Sequence, residues 1–377
     1  MSEFTRETGI TVELIPAPES SWRRLEDELK SAPTGLDVIE FDLAWSSHLR
    51  SELADLRDAL GDRIHDELPG TVDSVVAENR VMGAPFFIDY GLLFYRTDLL
   101  QKYGFSHPPA TWNELETQAR IIQRGERGAK HQNFWGYVWQ GDAYEGLTCN
   151  ALEWQYSQGG GNLVTAGREA NIANPRAVEA FAQAARWIGT ISPPGVLAYT
   201  EEDSRDVWQS GNAAFLRNWA YVYALAKADP QIASRFAVSP LPAGFDSHSS
   251  VIGAWYLGIP VSSRNRSRAI AFIRFMTSRR VQVRRALAEG NWPTLKTAYD
   301  DPQLRKSELF EIASEAANRI IRRPVALLGS LYPCVSDVYA RGIHRILSGE
   351  IAARSGAQRV QADITSVLQS AGKQGCP

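Results

Sequence analysis

The stretch VMGAPFFIDYGLLFYRTDLLQKYG, residues 81–104, joins β-rich apolar runs to an amphipathic segment that ends at a glycine. The apolar runs predict strands, and the segment after them predicts a helix that ends at Gly104. Asp89 follows the run PFFI, and a charge at the end of a buried strand is unusual. In open α/β sheets such strand ends face the ligand crevice. The stretch therefore predicts an α/β fold and places one carboxylate at a binding site.

The same alternation continues on both sides of this stretch. ITVELI (10–15) and LDVIEFD (36–42) predict strands with a helix between them, and AWYLGIPVSS (254–263) predicts another strand. Helical periodicity dominates 175–189 and 265–288. The alternation is typical of α/β proteins. Because the sequence has no repeat, no low-complexity tract and no Gly/Ser linker, we expect two α/β lobes whose chain crosses between them more than once.

Composition excludes several classes of protein. The 377 residues include 40 Lys+Arg and 43 Asp+Glu, a net charge of −3, which argues against a coat for nucleic acid or anionic lipid. No apolar run reaches the roughly 18 residues of a membrane helix, and the start of the chain lacks the apolar core of a secretory signal. Either the protein is cytosolic or its leader lies outside this sequence. Cys149, Cys334 and Cys376 are too widely spaced for a metal knuckle, although one pair could bridge.

Aromatic side chains are abundant, with 11 Trp, 13 Tyr and 14 Phe. Core packing explains most of them. Four tryptophans stand at turns beside small or polar residues, where a bulky ring often lines a cleft: Trp45, Trp219, Trp255 and Trp292. Flat rings suit the apolar C–H face of a pyranose. These positions therefore predict sugar stacking.

Four carboxylates lie near predicted strand ends: Asp42, Asp89, Asp142 and Glu145. An ionised carboxylate accepts hydrogen bonds from two hydroxyls at once, which suits a vicinal diol. A role in helix capping or on the solvated surface is a strong alternative explanation for Asp142 and Glu145. It is a weaker explanation for Asp42 and Asp89. Arg323, held extended before Pro324, could donate a fork of hydrogen bonds to a ligand or could belong to a surface basic run.

Motifs for catalysis and cofactors are missing from the sequence. The six histidines lack HxxxH or HxH spacing, so no metal site is predicted. GGGN (159–162) lacks the Lys-Ser/Thr of a phosphate-binding loop, no GxSxG occurs, and the N-terminal half has no GxGxxG after a strand. We therefore predict no cofactor and no enzymatic nucleophile.

The motifs PFFIDYGLLFYRTDLL, WGYVWQGDAYEGL and FLRNWAY, with their order along nearly the whole chain, resemble family 1 extracellular solute-binding proteins of ABC sugar importers. The likeness is strongest to the trehalose/maltose-binding branch. It implies a two-lobed periplasmic-binding-protein fold of type II, like that of maltose-binding protein, with a ligand cleft between the lobes. We expect lobe 1 at 1–90 plus 241–294, and lobe 2 at 91–240 plus 295–377.

The resemblance also implies roles for single residues. Asp42 and Asp89 match carboxylates that bind sugar hydroxyls, and Trp219 and Trp255 match stacking tryptophans. Arg323 matches an arginine that contacts the ligand, and Ser21 and Arg24 lie where the first lobe contributes small polar contacts. Local chemistry adds Tyr144, Glu145 and Trp292 as ligand-binding candidates.

Two departures from the family pattern are expected to matter. The family has a strand and most of a helix before FTRETGI, so lobe 1 is expected to lack its first strand, and no leader is present. RPVALLGSLYPCVSDV is longer than the usual spacing, which alters the loop after Arg323 and with it the choice of ligand.

The predicted function is a monomeric transport receptor, periplasmic or extracellular and membrane-associated, with no nucleic-acid partner. It binds a sugar, a disaccharide such as trehalose or maltose, and delivers it to the transmembrane subunits of an ABC permease. Reversible binding by closure of two lobes needs rings and acceptors but no nucleophile. One alternative is a glycoside hydrolase using two of the four carboxylates about 5–9.5 Å apart. Another is a receptor for a polyol or a sugar phosphate.

Overall fold

A computed structural model describes residues 1–16, 22–31, 35–129, 131–245, 248–317 and 319–370. The chain divides into two compact units, each built from two segments. Unit 1 comprises Met1–Ile88 and Gly253–Lys306, and unit 2 comprises Asp89–Ile252 and Ser307–Pro377. The chain therefore passes three times from one unit to the other.

The unit boundaries differ from those predicted for the lobes. The first lies after residue 88 rather than 90, the second after 252 rather than 240, and the third after 306 rather than 294. The first two fall inside continuous strands, where no change of composition marks a boundary. The assignment of units 1 and 2 as the two lobes of a clamp stays a prediction.

The strands, in chain order, are β1 (Ile39–Asp42), β2 (Val76–Ala77), β3 (Arg80–Val81), β4 (Ala84–Arg96), β5 (Trp135–Val138), β6 (Ala213–Trp219), β7 (Phe236–Pro240), β8 (Ser250–Gly258) and β9 (Ile320–Ile321).

The α-helices are α1 (Ser2–Thr8), α2 (Trp22–Lys30), α3 (Ser46–Leu49), α4 (Arg57–Leu60), α5 (Thr97–Lys102), α6 (Trp112–Gly128), α7 (Glu145–Ser157), α8 (Pro175–Trp187), α9 (Glu201–Gln209), α10 (Tyr221–Ala228), α11 (Arg266–Met276), α12 (Arg279–Glu289), α13 (Pro302–Arg305), α14 (Glu308–Ala317), α15 (Val325–Leu328), α16 (Tyr332–Leu347) and α17 (Ala353–Gln369). Short 3-10 helices occupy Leu43–Trp45, Gly61–Asp66, Asp73–Val75, Pro194–Ala198, Lys296–Asp300 and Gly329–Leu331. No helix in the described ranges is both long and apolar enough to span a membrane.

In unit 1, β1 pairs antiparallel with the second half of β8, from Ile39 opposite Gly258 to Asp42 opposite Trp255. Phe41 stacks on Tyr256 with ring centroids 5.5 Å apart, and both side chains are buried. This pairing brings the last residue of β1 beside Trp255.

In unit 2, β6 pairs antiparallel with β4, with Gly91 opposite Trp219, and parallel with β5, with Trp135 opposite Ala213. Trp219 is the last residue of β6, whereas Trp135, on β5, lies opposite the first residue of β6. The core holds five tryptophans that are each at most 2% exposed: Trp112, Trp139, Trp154, Trp187 and Trp208. Two of them, Trp139 and Trp154, belong to the stretch FWGYVWQGDAYEGLTCNALEW (134–154), so these two rings serve core packing.

One predicted strand is wrong. Residues 10–15 have no regular secondary structure, and Leu14 and Ile15 are 71% and 59% exposed. An extended segment becomes a strand only when a neighbour accepts and donates its backbone hydrogen bonds, and among the described residues no strand pairs with this one. By contrast, β1 lies within the predicted strand at 36–42, and 81–104 forms β4 followed by α5.

Candidate functional site

In unit 1, Asp42 and Trp255 are register partners on β1 and β8. One oxygen of the Asp42 carboxylate accepts a hydrogen bond from the Ala44 N–H at 2.7 Å and so caps the 3-10 helix that follows. Both side chains are half-buried. The strand pairing thus brings together two residues that the sequence separates by more than 200 positions.

Trp255 belongs to an aromatic corner of three half-buried rings, which we define as Trp45, Phe87 and Trp255. Phe87 is stacked on Trp255 at a centroid distance of 6.2 Å and an angle of 16°. Trp45 meets Trp255 edge-on at 6.0 Å and 73°. Ring contacts of this kind fix the plane of Trp255 by packing, without any charge.

In unit 2, Asp89 is only 5% exposed. Its Oδ1 accepts hydrogen bonds from the N–H groups of Tyr90 at 2.8 Å and Ala220 at 2.9 Å, and Ala220 is the N-cap residue of α10. Burial raises the pKa of Asp89 to about 7, although these backbone donors and the charge of Arg217 lower it. Asp89 therefore has a structural role at the start of α10, next to Trp219.

Trp219 is half-buried at the end of β6 and is held from two sides. The guanidinium carbon of Arg217 lies 4.1 Å from the centre of its ring, and its Nε1–H donates to Oε1 of Glu201 at 3.2 Å. The hydroxyl of Tyr144 donates to Oε2 of the same Glu201. Two predicted ligand-binding residues thus converge on one carboxylate.

Glu201 was missed by sequence reasoning. It is the first residue of α9, in the run TEED, where Thr200 and Asp203 form a capping box. Acidic residues are common in the first turn of a helix because they interact favourably with its dipole. The sequence therefore offers an ordinary reason for Glu201 and gives no sign of its contacts with Tyr144 and Trp219.

Glu145 and Arg323, predicted separately, form an ion pair in unit 2 with Nη1 of Arg323 2.7 Å from Oε1 of Glu145. The hydroxyls of Tyr332 and Ser336 also donate to the Glu145 carboxylate, each at 2.5 Å. The side chain of Arg323 is 2% exposed and that of Glu145 is 25% exposed. Arg323 is therefore not part of an exposed basic run, and its charge is compensated within the unit.

A second ion pair, between Arg217 and Glu153, is fully buried and holds the guanidinium that packs on the ring of Trp219. Arg217 donates from Nε and Nη2 to the two oxygens of Glu153 at 2.8 and 2.6 Å, and from Nη1 to Gln140 at 3.0 Å. Burial opposes the charge of Arg217, but the carboxylate of Glu153 overrides it and raises the pKa of Arg217. A Cβ at Gly91 would lie 2.3 Å from Glu153, so glycine is required there.

The remaining predicted residues do not join these groups. Trp292 is 2% exposed and bonds through its backbone to Ile88, which favours core packing. Arg24 is exposed on α2, the Asp142 side chain accepts from the N–H of Ala143 at 2.8 Å, and Ser21 lies outside the described residues. The ligand-binding roles of all the predicted residues stay predictions.

Half-buried rings and hydrogen-bond acceptors grouped on an α/β scaffold define a protein that binds small polar solutes. Residues 1–283 match the model of the bacterial extracellular solute-binding protein family, and the chain belongs to that family. It is a solute-binding protein of an ABC transporter, extracellular or periplasmic, that delivers a small molecule to a permease.

Relatives and solved structures agree with this assignment. A probable ABC transporter-binding protein of Deinococcus radiodurans is 37% identical over 352 residues, 92% of this chain and 84% of the relative. The structure of T. maritima MalE3 with maltose bound has a TM-score of 0.88 at 34% identity, covering 97% of this chain and 94% of the other. A solute-binding protein of Thermotoga lettingae with α-D-tagatose bound has a TM-score of 0.86 at 23% identity, covering 97% and 94%.

These comparisons confirm several predictions. The two-lobed, maltose-binding-protein-like α/β fold is confirmed by the structural match, and the solute-binding family is confirmed by the family model. The prediction that the protein is not an enzyme is also confirmed, because the family consists of binding proteins. The hydrolase alternative is thereby set aside.

Proposed function

We propose that this protein is the receptor of a sugar importer and binds a disaccharide of the trehalose or maltose type. In this proposal the sugar is held between two closing lobes and released to the permease. The receptor acts as a monomer on the outer side of the membrane, with which it is associated. Its binding residues come from both units.

The supporting observation is that each unit carries a carboxyl group close to a half-buried tryptophan. In unit 1 these are Asp42 and Trp255, opposite each other on paired strands. In unit 2 Asp89 accepts from the N–H of Ala220, the residue after Trp219. A ring for the apolar face of a pyranose and an acceptor for its hydroxyls are what a sugar site needs. MalE3, at 34% identity, was solved with maltose, which supports the same ligand class here.

The first experiment is a thermal-shift screen of the whole chain against trehalose, maltose, sucrose, glucose and several polyols, followed by calorimetric titration of each hit. A ligand at about 1,000 times its dissociation constant adds about 4 kcal/mol to the free energy of unfolding, so a true ligand raises the melting temperature by several degrees. Stabilisation by a disaccharide with no sugar consumed supports the proposal. Stabilisation by a polyol alone would show that the ligand is a polyol and not a disaccharide. If none of these compounds stabilised the protein, the proposal would be overturned.

Variants then test the two tryptophans. We expect Trp219→Ala and Trp255→Ala each to weaken sugar binding at least tenfold, about 1.4 kcal/mol. Trp135→Ala is a matched control in unit 2, because Trp135 is also half-buried and also carries a guanidinium over its ring, that of Arg127 at 4.2 Å. Trp135 lies on β5, opposite Ala213 at the other end of β6, and its replacement should leave affinity unchanged. Equal losses in all three variants would count against this site.

A further inference from the structure

Glu201 gives the unit 2 site a chemical preference that its aromatic residues alone do not have. Its two oxygens each accept one hydrogen bond, from Nε1 of Trp219 and from the hydroxyl of Tyr144. The three residues are half-buried, so part of each is accessible to solvent. We call this group, Tyr144, Glu201 and Trp219, the acceptor corner.

Both side-chain donors in the acceptor corner already donate to Glu201, so the corner offers acceptors to a ligand. Trp219 has a single N–H, and it is already donated to Glu201. The proton of the Tyr144 hydroxyl is also donated to Glu201, which leaves that oxygen able to accept but not to donate. Glu201 itself is an acceptor with lone pairs to spare. A ligand that meets this corner must therefore supply the hydrogens, as hydroxyl groups do.

Charge acts in the same direction. The guanidinium over the ring of Trp219, that of Arg217, is compensated by Glu153, and Arg205 on the same helix as Glu201 is paired with Glu202. The cation over the face of Trp219 is thus half of a buried neutral pair, and the carboxylate of Glu201 remains as a negative charge at the solvent-accessible edge. An anionic group placed here meets repulsion and finds acceptors where it needs donors.

We infer that Glu201 is a specificity-determining residue that makes the acceptor corner select neutral polyhydroxyl ligands and exclude their phosphate esters. This inference rests on the proposed function, since it names the chemical class of solute that the same site takes. It decides between two solutes that the sequence left open, a neutral sugar or polyol and a sugar phosphate.

The experiment is calorimetric titration of the whole chain with trehalose against trehalose 6-phosphate, and with mannitol against mannitol 1-phosphate. We expect the phosphate ester of the bound compound to bind about 100-fold more weakly than its neutral partner at low salt, with the gap narrowing at about 0.5 M NaCl as charge repulsion is screened. Steric exclusion alone would not respond to salt.

Variants assign the effect to one residue. Glu201→Gln keeps the size of the side chain and removes the charge, so the neutral sugar should bind about tenfold more weakly and the discrimination against phosphate should shrink about fivefold or more. Glu202→Gln is the matched control, because Glu202 is the next residue in the same helical turn, is exposed, and contacts Tyr221 and Arg205 instead. It should change neither value.

The outcomes separate the two proposals. If the neutral sugar binds and its phosphate ester binds equally well, or if Glu201→Gln behaves as Glu202→Gln does, the role of Glu201 is wrong while the sugar receptor stands. If no neutral sugar or polyol binds to the unaltered chain, the proposed function is wrong and this inference falls with it.

Discussion

Each unit places a half-buried tryptophan close to a carboxyl group, but the two tryptophans are supported by different physical means. In unit 1 the plane of Trp255 is fixed by two other rings, Phe87 and Trp45. In unit 2 the plane of Trp219 is fixed by the charge of Arg217 on its face and by Glu201 at its N–H. A tryptophan held by packing tolerates changes of polarity nearby, whereas one held by charges depends on every partner in the network.

The two units should therefore be sensitive to different kinds of substitution. Arg217, which packs on Trp219, is itself hydrogen-bonded to Glu153 and Gln140, and both of these residues are completely buried. A substitution of Glu153 therefore leaves the charge of Arg217 buried without its carboxylate partner. In the aromatic corner of unit 1, trimming Trp45 or Trp255 removes ring contacts. Phe87 also has the guanidinium carbon of Arg285 5.0 Å from its ring centre.

Breaking the buried ion pair should have the largest effect. Glu153→Ala leaves the guanidinium of Arg217 buried without its carboxylate, which typically costs about 3–5 kcal/mol of unfolding free energy. Asp363→Ala is the control, because it breaks an exposed pair with Arg359 on α17 whose expected contribution is about 0–1 kcal/mol. Urea denaturation of both variants measures the difference. A loss below about 1 kcal/mol for Glu153→Ala would show that the charge network is not what supports unit 2.

The sequence predicts elements well where one residue type determines a local structure, and partners poorly where the partner is distant. PFFI correctly indicates a buried strand, because an apolar run is a local signal, but the strand does not end at the aspartate, since β4 continues through Asp89 to Arg96. The role of Asp89 at a binding site stays a prediction. Nothing local indicates that Glu145 pairs with Arg323, 178 positions away, or that Glu201 meets Trp219. ITVELI has strand propensity, yet a strand also needs a neighbour, and that requirement is not encoded in the segment itself.

Stability should depend on pH through buried carboxyl groups in both units, of which Asp89 and Glu67 have pKa values raised to about 7. Burial raises the folded-state pKa of Asp89 in unit 2 from 3.8 to about 7, and that of Glu67 in unit 1 from 4.5 to about 7. Because the folded-state pKa lies above the unfolded one, the stabilisation is full only below the unfolded-state pKa of 3.8 for Asp89 and 4.5 for Glu67. It is lost as the pH rises from there to about 7. The loss is at most roughly 4 kcal/mol for Asp89 and roughly 3 kcal/mol for Glu67.

Asp89→Asn and Glu67→Gln test this dependence, since an amide imitates the protonated acid. The unfolding free energy of the unaltered protein, measured relative to either variant, should fall between pH 4 and pH 7. The double variant should remove both contributions additively, because the residues lie in different units and share no contact that we observe. A difference that rises with pH over this interval would mean that the carboxylates are stabilised as anions.

Replacing each tryptophan by phenylalanine should separate the two modes of support. Trp219→Phe keeps a ring for stacking but loses the N–H donated to Glu201, so we expect sugar affinity to fall about tenfold, in line with a hydrogen bond to a charged group. Trp255→Phe keeps its ring contacts with Phe87 and Trp45, so we expect a loss of about threefold or less. Calorimetric titration with the sugar found in the screen gives both values. The reverse order would mean that Trp255 depends on its N–H and that Trp219 does not.

The smallest effect on binding is expected at Trp292, although the sequence placed it among the ligand-binding residues. Its side chain is 2% exposed and its backbone pairs with Ile88, which are properties of a core residue in unit 1. Trp292→Phe should therefore lower the unfolding free energy by about 1–2 kcal/mol and leave sugar affinity within about twofold, whereas Trp255→Ala weakens binding and leaves stability nearly unchanged. The opposite pattern at Trp292, a loss of affinity without a loss of stability, would restore its predicted role. It would also mean that ligand binding exposes a ring that is buried in the present structure.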